Sequence, residues 1–171
     1  MFSIIIPSLN NLKYLKLCIK SLKKNSKFDH EIIVHSNIGT DGTLKYLKEE
    51  NIKYTHSNFN AGIPKGVNLA AAQATKDYII YGHDDFYFLP GWDIAFAEEI
   101  KKMPNKLYYL SGTMVQNGQV TLDCGNTIET FNEQKALKEH KKISFYDFQG
   151  STWAPHLSLI HISEPTRRRT I

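Results

Sequence analysis

Short apolar runs alternate along the chain with segments in which apolar residues recur at helical spacing. The runs are rich in isoleucine, valine and tyrosine, which is typical of strands buried on both faces of a sheet. They occupy positions 2–6, 31–35, 52–56 and 77–82. Such runs separated by helices indicate βαβ units. We therefore predict a single domain of the α/β class, with a mostly parallel sheet flanked by helices.

The segments between the runs predict the helices. A first helix should begin near Asn11, after a turn at 7–11, because the residues that follow recur at helical spacing. That series is Leu12, Leu15, Ile19 and Leu22. A second helix follows the sequence Thr-Asp-Gly-Thr at 40–43, and an alanine-rich helix is expected at 69–74. The remaining predictions are helices at 92–102 and 131–142, strands at 107–115 and 144–148, and a hairpin turn at Asn117-Gly118.

The composition excludes several classes of protein. With 42% hydrophobic and 22% charged residues, the chain has the composition of a soluble globular protein rather than a disordered one. No apolar run approaches the roughly 18–20 residues that a bilayer span requires. The two cysteines rule out a disulfide framework and fit a reducing compartment. We therefore predict a cytoplasmic location.

The last 15 residues differ from the rest. The chain has a net charge of +4, and its only arginines are adjacent, at 167–169. A basic tail would ordinarily suggest nucleic acid or a membrane surface. However, residues 157–167, LSLIHISEPTR, resemble a translated transposase sequencing adapter. We expect residues 1–156 to be a partial domain whose C-terminal part is missing and 157–171 an artefactual tail. Nucleic acid is then not an expected partner, and peripheral membrane association stays open.

Polar side chains follow all four predicted strands. In sheets of this class the ligand lies beyond the carboxyl ends of the strands. The segments found there are 7–10, 35–39, 56–60 and 83–86, and they are rich in asparagine, histidine and aspartate. We therefore predict one binding site formed by these four segments.

Asp84 and Asp85 carry the clearest chemical signal in this set. Adjacent carboxylates after a buried strand repel each other unless a cation lies beside them. Mg²⁺ and Mn²⁺ accept such ligands and commonly bridge them to a substrate diphosphate. We predict both aspartates as ligands of a divalent metal cofactor, Mn²⁺ or Mg²⁺; the alternative is a solvated turn that caps the next helix. The sequence has no Walker glycine loop, GxGxxG after the first strand, zinc-ligand spacing or GxSxG elbow.

Four segments in series resemble the family-two inverting glycosyltransferases, which have the GT-A fold. The segments are SIIIPSLNN at 3–11, EIIV at 31–34 with TDGT at 40–43, NAGIPKGVN at 60–68 and YIIYGHDDF at 78–86. The resemblance covers residues 2–156 in order and spacing. It implies a Rossmann-like, metal-dependent domain that binds a nucleotide-diphosphate sugar. Such an enzyme transfers the sugar with inversion to a hydroxyl of a glycan, lipid-linked or protein acceptor.

The resemblance also implies roles for individual residues. The residues expected to bind the nucleotide are Pro7, Ser8, Asn10, Asn37, Lys65 and Asp84. Among them, Asn37 stands where members often carry a base- or ribose-binding aspartate. Asp84 matches the metal-binding aspartate of the DxD-type motif. The catalytic base is expected beyond His156, so a chain of this length is expected to be inactive.

Three departures from the family pattern keep other functions open. Ser36 and Asn37 replace the usual pair of aspartates, Gly82 replaces the first acidic residue of the DxD motif, and Val67 stands where some members carry arginine. Loss of these carboxylates favours a degenerate, non-catalytic nucleotide- or carbohydrate-binding module. The other alternative is a nucleotidyltransferase, which normally shows a glycine-rich, basic loop after the first strand.

Overall fold

Four parallel strands form the centre of the fold in the computed structural model, which describes residues 1–105, 108–112, 122–142 and 161–162. Two short strands extend the sheet on one side. The six strands are β1 (Phe2–Leu9), β2 (Glu31–Asn37), β3 (Lys53–Ser57), β4 (Tyr78–Tyr81), β5 (Leu110–Ser111) and β6 (His161–Ile162).

The strand order places β1 in the middle of the parallel part. The order is β3-β2-β1-β4-β6-β5, and β1 pairs in parallel with both β2 and β4. β3 pairs in parallel with β2, whereas β6 is antiparallel to β4. The carboxyl ends of β1, β2, β3 and β4 therefore meet at one edge of the sheet. This arrangement confirms the predicted α/β class and the mostly parallel sheet.

Helices connect the strands. They are α1 (Leu12–Asn25), α2 (Thr43–Glu49), α3 (Ile63–Ala71), α4 (Trp92–Lys102) and α5 (Glu133–Glu139), with a 3₁₀ turn at His140–Lys142 after α5. The prediction for α3 was wrong in its bounds. That helix begins before the alanine-rich stretch because Gly62 adopts a φ of +77° and Pro64 fits the first turn of a helix.

β1 separates two apolar clusters, which explains why Ile4, Ile5 and Ile6 at its centre are all apolar. Phe2, Ile4 and Ile6 face a cluster completed by α1 and α4, with Trp92 at its centre. Ile5 faces the opposite cluster, which includes Ala70 of α3. The small alanine side chain lets α3 lie close to the sheet.

Several predictions of local structure need correction or lie outside the described residues. β1 continues through Pro7 to Leu9, so the expected turn at 7–11 begins later; the fixed φ of proline is compatible with an extended strand. Of the strand predicted at 107–115, the structure describes residues 108–112, among which Leu110–Ser111 form β5. The hairpin turn at Asn117-Gly118 and the strand at 144–148 lie outside the described residues.

The strand β6 belongs to the segment expected to be an artefactual tail. Its backbone pairs with Tyr81 of β4 and with both residues of β5. The tail is therefore not wholly outside the sheet, because β4, the outermost parallel strand on that side, has backbone groups with which an extended segment can pair. The division into 1–156 and 157–171 stays a prediction. Within the described ranges, no helix has the length and apolar character needed to cross a bilayer.

Candidate functional site

A cleft of about 380 Å³ opens at the carboxyl ends of the parallel strands. It brings together the segments that follow β1, β2, β3 and β4. Its lining residues are Pro7, Ser8, Leu9, Asn10, Asn11, Asn37, Asn60, Gly62, Ile63, His83 and Asp84. Four asparagines and a serine are among these residues, and Asp84 is the one carboxylate.

Ser8 and Asp84 lie together in the cleft at the ends of adjacent strands. Ser8 is only 3% exposed, and its hydroxyl makes no hydrogen bond of ordinary geometry to a described residue. Burial raises the pKa of Asp84, although the neighbouring Ser8 hydroxyl and the Asn11 side chain oppose this effect. The charge of Asp85 raises the pKa of Asp84 further, and His83 lowers it. An ionised Asp84 is therefore poorly compensated by the protein itself.

The two predicted metal ligands differ in position. Asp84 lines the cleft, whereas Asp85 is exposed and is not among the lining residues. In the part of the chain that the structure describes, no three His, Cys, Asp or Glu side chains form a metal-binding group. A metal here would have one protein carboxylate and take its other ligands from a bound phosphate and water. Mg²⁺ and related ions accept such a set, so the residues present fit one of them.

Two asparagines organise the opposite part of the cleft. Asn37 is 3% exposed, and its Oδ1 accepts a hydrogen bond of 2.9 Å from the backbone N–H of Ala61. Asn60 Oδ1 accepts a bond of the same length from the N–H of Gly62. Asn37 therefore joins the end of β2 to the segment that starts α3, as well as lining the cleft.

His35 of β2 lies beneath the cleft and is not one of the residues that line it. Its Nδ1 lies 2.8 Å from the Thr55 hydroxyl and its Nε2 lies 2.9 Å from the Ser57 hydroxyl. Burial lowers the pKa of His35, an effect that Asn37 opposes and His56 increases. Because the ring is buried and both of its nitrogens are bound, it serves as a surface on which α3 packs and not as a reactive group.

Asn10 and Lys65, both predicted to bind the nucleotide, make contacts within the chain. Asn10 lines the cleft, but its amide forms two hydrogen bonds with Thr40. Lys65 does not line the cleft, and its ammonium lies 5.5 Å from the centre of the Phe59 ring. Of the six predicted nucleotide-binding residues, the cleft brings together Pro7, Ser8, Asn10, Asn37 and Asp84.

Sequence reasoning missed other lining residues, notably Asn11 and Ile63. Asn60 and His83 belong to the polar segments that were predicted to form the site, although neither was assigned a role of its own. Asn11 was assigned only to the start of α1. Ile63 is 50% exposed, and no pattern in the sequence marks an exposed apolar residue as part of a cleft.

Comparison with known proteins identifies the family. The family model for Glycosyl transferase family 2 matches residues 3–153, and the chain belongs to this family. A curated relative is the poly(ribitol-phosphate) beta-N-acetylglucosaminyltransferase TarS of Staphylococcus aureus. It is 33% identical over 93 residues, which are 50% of this chain and 16% of TarS.

Solved structures agree with this assignment. The crystal structure of S. aureus TarS 1-349 in complex with UDP-GlcNAc has a TM-score of 0.60 and 26% identity, over 72% of this chain and 37% of that chain. The mannosyltransferase PcManGT from Pyrobaculum calidifontis, in complex with GDP-Man and Mn²⁺, has a TM-score of 0.55 and 16% identity, over 66% of this chain and 35% of that chain. The second likeness shows the fold alone. The fold is of the GT-A type, and the chain spans less than two-fifths of each of these structures.

Proposed function

We propose that the cleft binds the nucleotide diphosphate of a nucleotide-sugar donor. The domain is then the donor-binding part of a glycosyltransferase that transfers the sugar with inversion to an acceptor hydroxyl. The observation that carries the proposal is the meeting of Ser8, Asn37 and Asp84 in one cleft at the carboxyl ends of the strands. Family membership supports the reaction class.

A uridine diphosphate sugar is the proposed donor. Support comes from the crystal structures of TarS in complex with UDP-GlcNAc and with UDP. In this chain the side-chain amides of Asn37 and Asn60 supply both donors and acceptors. Such groups can pair with the edge of a base or with ribose hydroxyls. The acceptor stays open among a glycan, a lipid-linked molecule and a protein.

Asp84 would hold a divalent cation, Mn²⁺ or Mg²⁺, beside the donor diphosphate. When bound, the cation neutralises the negative charge that develops on the leaving diphosphate. The chain's own contribution is to place one carboxylate at the cleft, with Ser8 and Asn11 beside it. The base that deprotonates the acceptor stays a prediction for a segment beyond His156, so binding is the appropriate measurement on this chain.

Titration calorimetry with UDP tests the proposal. We expect the 171-residue chain to bind UDP in the presence of Mn²⁺ and to bind it at least tenfold more weakly without the metal. Asp84→Asn should lose the metal-dependent part of the affinity. Asp77→Asn is the matched control, because Asp77 is an exposed aspartate that lies just before β4, whereas Asp84 follows that strand. Equal UDP affinity in Asp84→Asn and the unmodified chain would contradict the proposal.

Gly82 does not by itself argue for a degenerate binding module. A Cβ at this position would lie 3.4 Å from Phe88 Cζ and 3.9 Å from Ile6 Cγ1. The Cβ of a side chain at position 82 would therefore point toward the apolar cluster beneath the cleft. Within the described residues, no specific observation favours either the binding module or the nucleotidyltransferase.

A further inference from the structure

Two loops beside the cleft are joined by a reciprocal pair of hydrogen bonds. One is the β1–α1 loop, which contains Asn10, and the other is the β2–α2 loop, which contains Thr40. Asn10 Nδ2 donates to Thr40 Oγ1 at 3.1 Å, and the Thr40 N–H donates to Asn10 Oδ1 at 3.0 Å. The side-chain amide of Asn10 is therefore engaged at both ends by the neighbouring loop.

Asp41 joins the same two loops a second time. Its Oδ2 accepts a 2.8 Å hydrogen bond from the backbone N–H of Leu12, the first residue of α1. Its Oδ1 accepts from the N–H of Thr43 at 3.1 Å and from the Thr43 hydroxyl at 2.7 Å, at the start of α2. One carboxylate thus satisfies the amino termini of two helices, whereas Asn11, the N-cap residue of α1, makes no side-chain capping bond.

The backbone of both loops is held in conformations that most residues avoid. Asn10 has a φ of +47°, and Ile38, a β-branched residue, has a φ of +64°. Gly39 and Gly42 follow with φ values of +76° and +94°. A β-branched residue in the left-handed region is a true outlier. Such strain persists only where the surrounding structure fixes it, and it concentrates at functional sites.

The hydrogen bonds fix Asn11 from both sides. Asn10, before it, is bound to Thr40, and Leu12, after it, is bound to Asp41. Asn11 lines the cleft, as Asp84 does. Thr40 and Asp41 are not among the lining residues. They are therefore placed to affect the cleft through Asn10 and Asn11 rather than by touching its contents.

We propose that Asn10, Thr40 and Asp41, here called the loop clamp, are positioning residues that keep the cleft in the shape that binds the donor. This inference rests on the proposed function and deepens it. Asn10 acts on the donor through the conformation of the β1–α1 loop, and its amide makes no direct bond to the nucleotide. Preorganisation of this kind raises affinity because the loops need not be ordered on binding.

A double-mutant cycle on UDP binding with Mn²⁺ tests the proposal. Asn10→Ala removes both bonds to Thr40, whereas Thr40→Val removes only the bond to the hydroxyl, because the Thr40 N–H remains. Asn10→Ala should weaken binding several-fold, Thr40→Val should weaken it less, and the double variant should bind like Asn10→Ala. Additive losses would contradict a shared role. Weakening by Asn10→Ala with normal UDP binding by both Thr40→Val and Asp41→Ala would show that Asn10 contacts the donor directly, which overturns the proposal.

Two further variants separate the clamp from backbone conformation. Asn10→Gly suits the positive φ but lacks the amide, so it should be more stable than Asn10→Ala and bind UDP as weakly. Asn51→Ala is the matched control, since Asn51 is an exposed asparagine with a φ of +51° away from the cleft. It should bind UDP like the unmodified chain. Normal UDP binding by Asn10→Gly would overturn the role of the amide.

Amide hydrogen exchange without nucleotide distinguishes failure of this inference from failure of the proposed function. The N–H groups of Leu12 and Thr40 should be protected in the unmodified chain. Asp41→Ala should remove protection at Leu12, and Asn10→Ala should remove it at Thr40. Unprotected amides in the unmodified chain would overturn the clamp, whatever UDP does. Protected amides with no UDP binding would overturn the proposed function, and the positioning role with it.

Discussion

Asp84 is an acidic residue whose burial opposes folding. Burial raises its pKa, so its carboxyl group is protonated more readily in the folded chain than in the unfolded chain. The ionised form of Asp84 therefore opposes folding at neutral pH. This opposition is absent below the unfolded pKa of about 3.9 and grows as the pH rises through the folded pKa. A bound cation would remove it.

We accordingly expect Asp84→Asn to raise the melting temperature of the metal-free chain at pH 7. A gain of about 1 kcal/mol corresponds to roughly 2–4 °C for a chain of this size. The gain should shrink toward pH 4, because the folded carboxyl group, whose pKa is raised, takes up a proton as the pH falls. Thermal unfolding followed by circular dichroism at both pH values checks this, with Asp77→Asn as the control. A lower melting temperature for Asp84→Asn at pH 7 would show that the carboxylate is fully compensated by its neighbours.

The sequence predicts which single residues lie at the cleft, but it does not predict which partners their side chains contact. Asp84 and Asn37 follow buried strands, and in a parallel sheet that position alone places them at the cleft. Asn10 was predicted to bind the nucleotide, but its amide binds Thr40, 30 residues further along the chain. Which partner a side chain finds depends on the approach of two loops, and local sequence does not encode that approach.

At the scale of elements, the packing of α3 on β2 fixes one wall of the cleft. Gly66 of α3 is buried, and a Cβ there would lie 2.6 Å from His35 Cδ2. The imidazole cannot easily move, because Thr55 and Ser57 bind its two nitrogens. This contact sets how closely the helix approaches the sheet. It thereby places Gly62 and Ile63 at the cleft.

We expect Gly66→Ala to destabilise the chain even though alanine favours helices by about 1 kcal/mol over glycine. Overpacking of a filled interior costs about 1–3 kcal/mol. Urea unfolding should therefore show a lower midpoint for Gly66→Ala. The control is Asn68→Ala, an exposed position in the same helix, where the better helix former should be neutral or slightly stabilising. A gain in stability for Gly66→Ala would mean that α3 can move away from His35.

The presence of the helices and strands could largely be predicted from the sequence, whereas the residues at which they begin and end were harder to predict. The predicted limits of α4, 92–102, agree with Trp92–Lys102 because apolar periodicity and a preceding glycine mark the helix clearly. The predicted α3 began too far along the chain, because the prediction relied on the alanine-rich stretch at 69–74 and not on Gly62 and Pro64. The local signals at those two residues start the helix. The backbone conformation of Gly62, rather than the alanine-rich composition that follows, therefore determines where α3 begins.

At the scale of the whole molecule, the described lysines of α1 do not form an unopposed basic face. Lys13 pairs with Glu129 at 3.4 Å, Lys23 with Glu50 at 3.2 Å and Lys24 with Glu133 at 2.9 Å. Exposed pairs such as these contribute little to stability. They do reduce the local positive potential of the α1 surface; the absence of a nucleic-acid partner stays a prediction.

The central claim is that the edge of the sheet formed by the ends of β1–β4 binds a nucleotide diphosphate with a divalent cation. Titration of the ¹⁵N-labelled chain with UDP and Mg²⁺, followed by amide chemical shifts, locates binding without assuming any residue's role. We expect the shifts to concentrate at 7–12, 37, 60–63 and 83–85, and to be small at the opposite edge around Glu31 and Lys53. No shifts at millimolar UDP with Mg²⁺, or shifts concentrated at the opposite edge, would contradict the claim.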